Sequence, residues 1–97
     1  MIVIDDSIHC EHGGRFNTFE DAVAELWHRA AIPWDQEPNR APCTSWRKCG
    51  REYHVLEYDD SRTPWTLVRG VPVLNLSAIG VEWIEGFERA WETAGGV

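Results

Sequence analysis

Val71-Pro72-Val73-Leu74-Asn75-Leu76-Ser77-Ala78-Ile79-Gly80-Val81-Glu82-Trp83-Ile84 decides the fold, because it reads either as a β-hairpin or as part of a helix. As a hairpin, residues 71–76 form a strand of β-branched and apolar side chains. Ser77-Ala78-Ile79-Gly80 then turns the chain with glycine at the left-handed position, and residues 81–84 return. As a helix over residues 77–91, Val81, Ile84, Phe87 and Trp91 would share a stripe. Gly80 and Gly86 each cost such a helix up to ~1 kcal/mol, and β-branched residues lose rotamer freedom in it. We read a hairpin, followed by a helical turn around Phe87 to Trp91. Pro72 has no amide proton to give a ladder, so its strand belongs at an edge or a bulge.

Upstream, Thr18 precedes Phe19, Glu20 and Asp21, an N-cap with acids in the first turn, where they complement unpaired amides and the positive dipole end. Phe19, Ala22, Val23, Leu26, Trp27 and Ala30 recur at three- and four-residue spacing, whereas Glu20, Asp21, Glu25, His28 and Arg29 take the other face. The spacing predicts an amphipathic helix over residues 19–31, closed by Pro33 through its restriction of Ile32, with Phe19, Val23, Leu26 and Trp27 packed on a sheet.

Ile2, Val3 and Ile4 read as a short strand, and His12-Gly13-Gly14 as a turn leading to Arg15 and Phe16. Residues 52–58 read as a strand with apolar groups on both faces, ended by a turn at Asp59-Asp60-Ser61. Residues 33–50 show no period, and a stretch of that length is either functional or tied down by its aromatics and cysteines. The expectation is one α+β domain over residues 1–97: a small antiparallel sheet of three to four strands with one amphipathic helix packed on a face.

Composition narrows the function. With 43% apolar and 26% charged residues the chain is an ordinary globular sequence, which excludes wholesale disorder. No apolar run reaches the ~18 residues of a membrane span, and the first residues lack a leader pattern, so the expected location is the cytoplasm. There Cys10, Cys43 and Cys49 stay reduced. A net charge of −7 repels phosphate backbones and disfavours nucleic acid as a partner. Of six tryptophans, Trp34, Trp46 and Trp65 fall in irregular segments, where an aromatic is either a contact surface or packed under a loop.

Four groupings bear on chemistry. Cys10, His12, Cys43 and Cys49 are the donor types zinc prefers, but five residues separate Cys43 from Cys49, which lacks the tight knuckle of a structural site; no metal or cofactor is expected. Lys48, Arg47 and Arg51 would favour a Cys49 thiolate, yet no oxyanion motif accompanies it and His28 or His54 would have to arrive through the fold; catalysis is not expected. Asp5-Asp6 and Asp59-Asp60 are read as turn formers at strand ends. Finally, Arg40, Arg47, Lys48 and Arg51 are four of nine basic residues gathered within twelve positions around Trp46, on an otherwise acidic chain. Guanidinium groups beside an indole make protein hot spots, so Trp46, Arg47, Lys48, Arg51 and Arg40 are the expected binding surface.

Pro33-Trp34-Asp35, Pro38-Asn39-Arg40-Ala41-Pro42-Cys43-Thr44-Ser45-Trp46-Arg47-Lys48-Cys49-Gly50-Arg51 and Tyr53 together resemble small bacterial proteins with no named activity. The resemblance covers the middle third of the chain and implies no catalytic or binding residue. The functional expectation is a protein-interaction domain that takes a protein partner or a second copy through Trp-rich loops and open sheet edges. The alternative is a small-ligand or zinc-binding domain built on the Cys/His set.

Overall fold

Residues 71–84 form the hairpin. The computed structural model, which describes residues 1–7, 11–40 and 50–95, carries β4 (Thr66–Ser77) through a tight turn into β5 (Gly80–Trp83). Leu74 lies opposite Trp83 and Leu76 opposite Val81. Gly80 holds φ at 139°, where a β-carbon is strained, so glycine is what closes this turn. The expected helical turn is a longer element, α2 (Phe87–Gly95), entered through Gly86 at φ 77°.

The remaining elements are β1 (Ile2–Asp6), β2 (Glu11–Phe16), α1 (Phe19–Ala30) and β3 (Gly50–Asp59). The strands pair antiparallel in the order β2-β1-β3-β4-β5. The fold is α+β with one antiparallel sheet, and the described residues give it five strands and two helices rather than three to four strands and one helix. The uncounted strand is β2. Glycines 13 and 14, which suggest a turn, instead form a bulge: Ile4 faces Gly14 while Asp5 faces His12, leaving Gly13 as the extra residue. Gly14 sits at φ 137°, and a β-carbon on Gly13 would stand 2.6 Å from Nη1 of Arg29. Pro72 also sits at a bulge, where the register with β3 slips between Tyr53 and His54. That slip sends the consecutive residues Val73 and Leu74 both into the interior.

Both helices cover one face of the sheet. Ile2, Ile4, Tyr53, Val55, Val71, Val73 and Leu74 meet Ala22 and Leu26 of α1 and Phe87 and Trp91 of α2. Thr18 caps α1, its Oγ1 accepting from the Asp21 amide at 3.1 Å. Two positions on α1 depart from the wheel reading. Arg29, expected on the solvent face, is buried, and Trp27, expected against the sheet, is 60% exposed. The opposite sheet face carries the alternate residues, with Val3 between Arg15 and Leu56 in register.

Candidate functional site

On α1, Phe19, Val23 and Trp27 recur every four residues, so they stand in one ridge about 12 Å long at 1.5 Å per residue. On α2, Phe87 and Trp91 form a second ridge by the same spacing. The ridges meet in an aromatic chain. Phe19 stacks on Trp91 with centroids 4.4 Å apart and approaches Phe87 at 6.2 Å. Phe87 reaches Trp83 of β5 at 6.2 Å, and Trp83 carries Trp27 at 4.2 Å. The Arg69 guanidinium lies 4.0 Å from the Trp91 ring centroid and donates to the Trp91 carbonyl oxygen at 2.8 Å, fixing the last ring of the chain. These residues of the two helices, with Ala24, line a groove of about 460 Å³. Glu20, Glu88 and Glu92 line its rim.

A second constellation stands at the C-terminal end of α1. Asn39 is wholly buried, and its Nδ2 donates to the carbonyls of Arg29 and Ile32, each at 2.8 Å. Its Oδ1 accepts from the Tyr53 hydroxyl at 3.0 Å. Arg29 is held by Glu25 at 2.6 Å, donates from Nη2 to the Gly13 carbonyl, and lies over the Tyr53 ring at 5.2 Å. Arg51 pairs with the buried Asp6 at 2.9 Å and donates to the carbonyls of Asn39 and Arg40. Asp6 is thus no turn former; it lies within β1, where it also accepts from the Glu52 amide. Burial raises the Tyr53 hydroxyl above its ordinary pKa, against the pull of the Arg29 and Arg51 charges. Asp59, fully exposed, is a turn former as expected: Ser61 bonds to it through hydroxyl and amide, lowering its pKa.

Among the residues expected to bind, Arg40 is exposed and Arg51 is built into the network just described. Trp46, Arg47 and Lys48 lie outside the described residues, as do Cys10, Cys43 and Cys49. Among the described residues, no group of three or more His, Cys, Asp or Glu is placed to hold a metal, and His54 stands 3.4 Å from Glu52. Trp34 is half-buried and Trp65, partly exposed, lies beneath Arg15 at 5.0 Å. No helix among the described residues is long and apolar enough to cross a membrane. Comparison of the chain with protein families, curated proteins and solved structures gives no match.

The groove is the feature the sequence reading missed. Its signal is present in Phe87-Glu88-Arg89-Ala90-Trp91-Glu92, where two aromatics and two glutamates each repeat at four residues. Asn39 has no such signal, because its role depends on which carbonyls the end of α1 leaves unpaired.

Proposed function

We propose that the chain is a protein-interaction domain and that the aromatic groove between α1 and α2 is its docking surface. Trp27 carries this reading. It is 60% exposed at the rim of the groove, although its neighbours Phe19 and Val23 on the same ridge are half-buried. An indole buries about 150–250 Å² when covered, so the exposed part offers roughly 90–150 Å² to a partner, a gain of about 2–4 kcal/mol. Contact with the Trp83 ring, tilted by 31° at 4.2 Å between centroids, orients the indole before binding, which reduces the ordering cost. No catalytic role is assigned.

The cationic loop is the second reading, supported by the way Arg51 ties the Asn39 and Arg40 carbonyls to Asp6 and so fixes its base. Arg40, Trp46, Arg47 and Lys48 would then face an acidic partner. Affinity capture from an extract of the source cells separates the two surfaces. A partner retained by the wild-type chain and by Arg47→Ala/Lys48→Ala, but lost with Trp27→Ala, supports the groove. The reverse pattern moves the surface to the loop. Capture that ignores both variants refutes docking at either place.

A further inference from the structure

We infer that the groove between α1 and α2 takes a basic amphipathic helix from a partner protein. This rests on the groove being the docking surface. Its lining sets the mode: exposed Trp27 and half-buried Phe19 and Val23 recur every four residues along α1 beside the Phe87 and Trp91 rings of α2, a spacing that apolar side chains at i, i+3, i+4 and i+7 of an incoming helix can match. Its charge sets the class of partner. Glu20, Glu88 and Glu92 stand at the rim, and among the described residues no lysine or arginine lines it.

A cation beside this rim meets both carboxylate and ring face. Lysine or arginine flanking the apolar anchors of the partner gains from each, whereas an acidic helix is repelled. The same argument disfavours a second copy on this face, since an isologous contact would set three glutamates against the same three and the chain carries −7 overall. An aromatic floor ringed by acids also makes the match selective rather than merely adhesive, because a neutral apolar helix leaves the glutamates without partners as it covers them.

Two synthetic peptides test this: one with leucine at i, i+3, i+4 and i+7 and lysine elsewhere, the other with every lysine replaced by glutamine. Isothermal titration should show the lysine peptide binding about tenfold more tightly, the sum of a few rim pairs. That margin should shrink as ionic strength rises from about 0.01 to 0.15 M. Glu20→Gln/Glu88→Gln/Glu92→Gln, all exposed positions, should erase the margin, and Trp27→Ala should weaken both peptides. If both peptides bind alike, indifferent to salt and to the glutamine variant but weakened by Trp27→Ala, the basic partner is overturned and the groove survives as a docking surface. If neither peptide binds, or if binding ignores Trp27→Ala, the groove itself is overturned and the inference with it.

Discussion

Removing the Asn39 side chain should test the buried network most sharply. Asn39→Ala deprives four groups of a partner, of which the Pro33 carbonyl, 3.5 Å from Nδ2, keeps the Gln36 amide at 3.1 Å. The Arg29 carbonyl keeps the Ile32 amide at 3.0 Å, but the Tyr53 hydroxyl and the Ile32 carbonyl lose the partners seen here. Each orphaned buried group costs about 1–3 kcal/mol, and Ile32 is only half-buried, so water relieves part of its loss. The expected destabilisation is about 2–4 kcal/mol, a large share of the roughly 5–15 kcal/mol of a domain this size. Tyr53→Phe alone strands Asn39 Oδ1 and should cost about 1–3 kcal/mol. In the double variant no hydroxyl remains to be stranded, so its loss should fall short of the sum by about 1–2 kcal/mol. Urea unfolding of the four proteins closes this cycle. Losses that add within about 0.5 kcal/mol, or an Asn39→Ala loss below that, would refute the claim that these side chains form one network.

Leu26→Ala should cost about 2–5 kcal/mol by urea unfolding, since Leu26 is buried on the inner face of α1 against the sheet; a loss below half a kcal/mol would place that face outside the core. Gly13→Ala should destabilise by roughly 1–3 kcal/mol, because the new β-carbon meets an Arg29 guanidinium already held by Glu25 and the Gly13 carbonyl. An unchanged midpoint would show that Arg29 moves aside freely. For Tyr53, the folded state keeps its proton where the unfolded chain releases it. The resulting stability is complete below the ordinary tyrosine value of about 10 and is lost as pH climbs past it. Tyr53→Phe should flatten that alkaline fall, and identical pH profiles for the two proteins would contradict the burial argument.

The hairpin at residues 71–84 was legible because glycine and β-branched residues speak locally: Gly80 occupies the left-handed position that its place in the sequence calls for. The strand β2 was not, since the local chemistry of Gly13-Gly14 is the same for a turn and for a bulge. What separates them is distant, namely the Arg29 guanidinium sitting where a β-carbon would project. Asp6 hid for a similar reason. A pair of acids at a strand end favours a turn until a specific arginine arrives across the sheet, and Arg51 is 45 residues away.

Arg29 also explains why Trp27 emerges. At 100° per residue the apolar positions of α1 run from Ala22 through Phe19 and Val23 to Trp27, an arc of about 140°, and packing centred on that arc would place Phe19 deepest and Trp27 at a covered edge. The helix is instead rolled towards Arg29: Ala22, Leu26 and Arg29 are the buried residues, and even Glu25 beyond them is half-covered. The roll follows from partners the helical wheel does not contain, the Gly13 carbonyl and the Tyr53 ring, which hold the guanidinium inside the fold. It exposes the far side of the apolar arc, and α2 then covers Phe19 but not Trp27. The groove is therefore coupled to the network. If Arg29→Met releases the helix to turn back, Trp27 should move into the sheet interface, and its share of the fluorescence, taken as the difference spectrum between each chain and the same chain carrying Trp27→Phe, should shift to the blue. An unchanged spectrum in a folded Arg29→Met chain would mean that α2 and Trp83, rather than Arg29, set the exposure of Trp27.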